Sequence, residues 1–104
     1  MADIDFSEPT FRLDLAIAMS IGWSRSDDDR YYWRRPNGTL TNLIPSYSKD
    51  ATLALEALQI TMDMKEIGRS ILDITPEGYV CKVGNIITHD KIAAMAICKA
   101  LHKL

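Results

Sequence analysis

Pro45-Ser46-Tyr47-Ser48-Lys49-Asp50 runs directly into Ala51-Thr52-Leu53-Ala54-Leu55-Glu56-Ala57-Leu58-Gln59-Ile60-Thr61-Met62-Asp63-Met64. Apolar residues recur at three- and four-residue spacing through the second segment, which predicts a helix. The first segment supplies its entry. Ser48 reads as the N-cap, its hydroxyl accepting a first-turn amide. Asp50 reads as a first-turn carboxylate favouring the positive end of the helix dipole. Ala51 stands where a Glu or Gln would close a capping box. Ala51, Leu55, Leu58 and Met62 line one side, and Leu53, Ala57, Ile60 and Met64 another. Thr52, Glu56, Gln59 and Asp63 share a narrow polar stripe. Such a helix is predicted to be covered from two directions. A sheet covers one side; the other takes a neighbouring helix, or a second copy of the chain through helix 50–65. Both readings stay open.

Upstream, Ser7-Glu8-Pro9 is a helix start, with a hydroxyl cap and a proline tolerated in the first turn. The helix is predicted from about residue 8 to about residue 21, where Gly22 terminates it. Ser24 to Arg30 lacks periodicity and reads as a loop. Asp27-Asp28-Asp29 has the hard oxygens a cation needs, but three consecutive carboxylates in a loop lack fixed geometry, so a solvated loop is expected. Tyr31-Tyr32-Trp33-Arg34-Arg35 is strand-like and stops at the turn Pro36-Asn37-Gly38. Thr39 to Ile44 is a short second strand or an extended connection.

Downstream, Gly68 is the expected end of the second helix. Arg69 to Ile74 and Tyr79 to Val83 form a hairpin about the turn Thr75-Pro76-Glu77-Gly78. Tyr79, Cys81 and Val83 alternate with Val80 and Lys82, so one strand face is buried. Gly84-Asn85 bends the chain, and Ile86-Ile87 adds a short extended piece. Thr88 and Asp90 repeat the hydroxyl-x-acid pattern of Ser48 and Asp50 and are read as the entry of a last helix ending near His102. Its apolar face holds Ile92, Ala93, Ala96, Ile97, Ala100, Leu101 and Leu104, opposite Lys91, Lys99, His102 and Lys103.

The 104 residues make a single domain, 1–104, with residues 1–6 as a mobile arm. A hydrophobic fraction of 47% and a charged fraction of 25% are those of a globular chain. The net charge of −2 provides no broad attraction to nucleic acid or acidic membranes. Cys81 and Cys98 sit among apolar neighbours and read as buried reduced thiols. No basic stretch precedes an apolar one at the N-terminus and charges interrupt every apolar run, so the expected compartment is the cytoplasm, without a membrane span.

No nucleotide-binding glycine loop, nucleophile elbow or His-Glu-x-x-His motif is present, so no catalytic residue is assigned. Cys81, His89, Cys98 and His102 could supply four zinc ligands but lack knuckle spacing, so no metal or other cofactor is expected. A Cys–His nucleophile pair is unsupported. Trp23, Tyr31, Tyr32, Trp33, Arg34 and Arg35 mix aromatic faces with guanidinium groups. They form the candidate ligand-binding region, suited to stacking on a base or gripping phosphate. The alternative is that both tryptophans fill the core while the arginines are solvated.

Several landmarks recur in a familiar order. They are Leu13-Asp14 with Ile21-Gly22-Trp23, Trp33 with Pro36-Asn37-Gly38, residues 45–50, and Ala96-Ile97-Cys98-Lys99-Ala100-Leu101. Together they resemble the phage ABA sandwich domain family of small phage proteins, over nearly the whole chain. Lys49 departs from the Thr common there, and Ala93-Ala94-Met95 from an Ala-Pro-Leu sequence. The resemblance implies helix layers flanking a small antiparallel sheet; it does not imply a catalytic activity. Both lines of reading lead to an α+β fold, an α-β-α layered sandwich of three helices with a sheet of about three or four strands. The resemblance also implies a non-enzymatic phage or prophage accessory protein, acting by binding a host or phage protein, host-defence components included. The alternative function is small-ligand or nucleotide binding at the aromatic–arginine region.

Overall fold

The computed structural model describes residues 10–104. The expected arm over residues 1–6 and helix start at Ser7–Pro9 lie outside the described residues. Helix α1 spans Phe11–Ser20, capped by extended Thr10, whose hydroxyl accepts from the Leu13 amide at 3.1 Å. Leu13, Asp14, Ile17 and Ala18 form its buried stripe. Beyond its C-cap Ile21, Gly22 adopts φ +108, and the Trp23 amide returns to the Ala18 carbonyl at 3.1 Å. This left-handed closure turns Trp23 back onto the core.

A first sheet, sheet A, follows: β1 (Ser24–Arg25), β2 (Trp33–Arg34) and β3 (Leu40–Thr41), antiparallel in that order. The expected loop at Ser24–Arg30 therefore contains a short strand. Ser24 pairs with Arg34 and Arg25 with Trp33, partnerships set ten and eight residues away and invisible to local periodicity. Asp28 shapes the connecting loop, with its carboxylate accepting from the Arg30 amide at 2.8 Å. The Pro36-Asn37-Gly38 turn forms as its chemistry predicts, with Gly38 at φ +91.

Helix α2 spans Ala51–Met64. Its N-cap is Asp50, whose Oδ1 accepts from the Thr52 and Leu53 amides at 2.9 and 3.3 Å. Ser48 is not the cap: it is buried, and its amide donates to Asp14 Oδ1 at 2.7 Å. The helix ends at Met64. After the C-cap Lys65, Glu66 takes φ +58, while Ile67 N–H reaches the Met62 carbonyl at 2.8 Å. Glu66, rather than Gly68, makes the reversal.

The second sheet, sheet B, has order β4 (Ser70–Thr75), β5 (Gly78–Val83) and β6 (Ile86–Asp90), all antiparallel. The predicted hairpin forms, and the piece at Ile86-Ile87 extends into a full third strand. Thr88 belongs to that strand, opposite Cys81, so it does not cap a helix. Its buried hydroxyl instead donates to the Ala96 carbonyl at 2.6 Å. Pairing with β5 holds the chain extended to Asp90, and helix α3 begins at Ala93 (to Lys103) with no side-chain cap. Asp90 still organises the approach, accepting from the Ile92 amide at 2.8 Å.

The α+β class, three helices and layered packing are those expected, with the strands divided between two three-stranded sheets. Helix α3 is the centre. It lies on β5 and β6, while α2 and α1 pack against it. Ala94, Met95, Ala96, Ile97, Cys98, Ala100 and Leu101 are all buried. Small alanines allow this close double approach. Helix α2 thus packs chiefly on a helix where a sheet was expected. Ala54, Ala57, Leu58, Thr61 and Met62 are its buried side, while Leu55, Ile60 and Met64 are exposed.

Candidate functional site

The aromatic–arginine region is built by the α1 closure and the sheet A register together. Trp33 and Arg25 are direct cross-strand partners, and the Arg25 guanidinium lies over the Trp33 ring, 5.8 Å from its centroid. Continuing the register one step outward sets Arg35 opposite Trp23, again with the guanidinium 5.8 Å from the ring centroid. Arg30 lies over Tyr31 at 5.7 Å. Each contact combines ring quadrupole and cation with packing of the arginine stem.

Of the candidates, Trp23 is only 8% exposed and belongs to the core cluster, with half-buried Trp33 packed against it. Tyr31 is half-buried. Tyr32, 57% exposed, and exposed Arg34 alternate onto the opposite face of β2 from Trp33. Arg35 is exposed as well. The structure thus joins Trp23, Trp33 and Arg35 on one face and turns Tyr32 and Arg34 to the other. Arg25 was missed, because a cross-strand partner becomes visible only once the hairpin register is known; Arg30, beside Tyr31 in the chain, was read as part of the polar loop.

Ser48 and Asp14 form the buried joint beneath this region. Asp14 was not singled out as a site residue in the sequence, though it is the one acid at helical spacing with Ile17, Ala18 and Ile21. Ser48 Oγ is buried without a hydrogen-bond partner among the described residues. Neighbouring Tyr47 is buried, and burial pushes its phenol pKa up, partly opposed by a hydrogen bond with the Trp23 side chain. The entry segment thereby ties α1, α2 and sheet A together. Asp50 is an exposed cap, Thr88 a buried strand residue and Asp90 the partner of Lys99 at 3.0 Å.

The four zinc candidates do not converge. Cys81 and Thr88 point to the helix-covered face of sheet B, whereas His89 points to the other. Among the described residues no three His, Cys, Asp or Glu side chains are grouped to hold a metal ion. Burial raises the pKa of Cys81, and burial with the charge of Asp14 pushes Cys98 up to about 12. Both thiols are therefore protonated near neutral pH, which opposes nucleophilic use.

A cleft of about 350 Å³ lies between β6 and α3, lined by Ile87, Thr88, His89, Lys99, His102 and Lys103. Lys99 Nζ is already engaged, donating to the His89 carbonyl at 2.9 Å. Among the described residues no helix is long and apolar enough to cross a membrane. No family model matches the chain, and no curated protein or solved structure matches it either.

Proposed function

We propose that the protein is a non-enzymatic binding module, a phage or prophage accessory protein that docks an acidic segment of a host or phage protein on sheet A. The observation that carries this reading is the pair of cross-strand Trp–Arg contacts, Trp33 with Arg25 and Trp23 with Arg35. Each tryptophan braces a guanidinium that is otherwise costly to order, leaving its fork of donors to meet a carboxylate. Arginine and aromatic residues are the types that dominate interface energies. Base stacking is less favoured, because an intramolecular guanidinium already occupies one face of each indole.

Affinity capture from bacterial lysate tests this reading, with Arg25→Ala/Arg35→Ala as the comparison. The intact chain is expected to retain a stoichiometric protein that the double variant loses, with circular dichroism unchanged. Charge reversal at the partner's contacted acidic residues should weaken binding about as much. Capture that survives the double variant, or no stoichiometric partner, counts against it. A melting-temperature rise with nucleotides, abolished in the same variant, would favour the small-ligand alternative.

A further inference from the structure

Sheet B ends in two edge strands, and they are treated differently. A two-residue loop, Pro76-Glu77, closes on the Thr75–Gly78 pair, so this pair exchanges both backbone hydrogen bonds. Along the unbroken register Asp73–Val80 and Ile71–Lys82 do the same. The N–H and C=O groups of Ser70, Leu72 and Ile74 therefore point away from β5. The same reasoning from the Val83–Ile86 closure turns the Ile87 and His89 groups outward on β6. There Lys99 covers the edge, bonded to the His89 carbonyl and paired with Asp90. On β4, no side chain or turn of the described residues meets the outward groups. The strand has neither lysine nor proline, and Ile74 is 78% exposed. Proteins ordinarily blunt such edges.

We propose that β4 is the seam of a homodimer, in which two copies pair antiparallel through Ser70–Thr75 and merge their B sheets into one. Its register is determined by the strand itself. Setting Leu72 opposite the partner's Leu72 puts Ser70 opposite the partner's Ile74, and every outward group is used, giving about six backbone hydrogen bonds. A shift of two residues either way loses one of these three pairs, and one such shift sets Asp73 against the partner's Asp73. In the full register Asp73 instead faces the partner's Ile71, whose own neighbour across β5 is Lys82. Ile74 gains a diagonal contact with the partner's Leu72. Helix α3 lies over β5 and β6 rather than over β4.

Light scattering on the full chain is expected to give twice the 11.7 kDa chain mass. The Ser70, Leu72 and Ile74 amides should resist hydrogen exchange and lose that protection on dilution. Ile74→Pro removes an outward N–H that the single chain does not use, and is expected to give a folded monomer. Ile74→Lys, which leaves the backbone intact, should weaken association by roughly tenfold or more. Ile71→Cys mixed with Asp73→Cys should cross-link under mild oxidation while neither alone does, since this pair lies directly opposite. A monomer at every concentration, with or without protected β4 amides, overturns the proposal. So does a dimer that survives both Ile74 variants or lacks the mixed cross-link.

Discussion

Ser48 and Asp50 are both good N-cap residues, and only one of them can cap α2. Asp14, 34 residues upstream, decides between them by taking the Ser48 amide at 2.7 Å. That bond draws Ser48 into the interior, and the cap passes to Asp50. The energetic roles follow. Asp50→Ala should lower stability by about 1 kcal/mol, the usual cost of a lost cap. Ser48→Ala deletes a buried hydroxyl with no partner while keeping the amide, so it should be neutral within about 0.5 kcal/mol or stabilising. Urea midpoints of the two variants check this, and a larger loss at Ser48 than at Asp50 would reverse the assignment. The Trp–Arg pairs have the same character. Trp23, Trp33 and Arg35 were visible as types in the sequence, but their pairing depends on a strand register that only the folded hairpin defines.

At the level of elements, α1 and α2 end in the same reversal with different residues. Gly22 makes the left-handed turn after α1 and Glu66 after α2, each followed by an amide returning five residues back, from Trp23 and Ile67. Glycine adopts this conformation freely, whereas a residue with a Cβ is opposed by roughly 1–2 kcal/mol. Glu66 is exposed, and its side chain makes no hydrogen bond or ion pair with the described residues. Glu66→Gly should therefore raise stability by about 1 kcal/mol, read as a higher thermal midpoint. The first terminator was legible because glycine marks it. The second was displaced to Gly68, because Ile67 burying against the core sets the reversal and Glu66 merely tolerates it.

Across the whole molecule, α3 carries the packing, and its burial brings ionisable groups inside. Cys98, Cys81 and Tyr47 all have raised pKa values, with burial as the first cause. In the unfolded chain the thiols ionise near 9.0 and the phenol near 10.0, while the folded chain keeps its protons, Cys98 to about 12. The unfolded state then binds fewer protons, so stability falls as pH rises above 9 and the fall continues toward 12. Urea midpoints between pH 8 and pH 11 should decline, more shallowly in Cys98→Ala measured against its own value at pH 8. A slope that Cys98→Ala leaves unchanged would place the alkaline sensitivity elsewhere.

Periodicity and turn chemistry act over a few residues, and what depends on them was readable: three helices, the Thr75–Gly78 hairpin and the turn at Pro36–Gly38. Tertiary structure decided what depends on distant partners. Asp14 selected the α2 cap, β5 kept Thr88 in a strand, and the Arg25–Trp33 register made a sheet of an apparent loop. The same holds for the layer order. Helix α3 looked amphipathic because Lys99, His102 and Lys103 lie toward its end, yet its alanine-rich remainder fits between a sheet and two helices. Small side chains permit close approach on several sides, and which neighbours arrive is set by the packing of the whole chain.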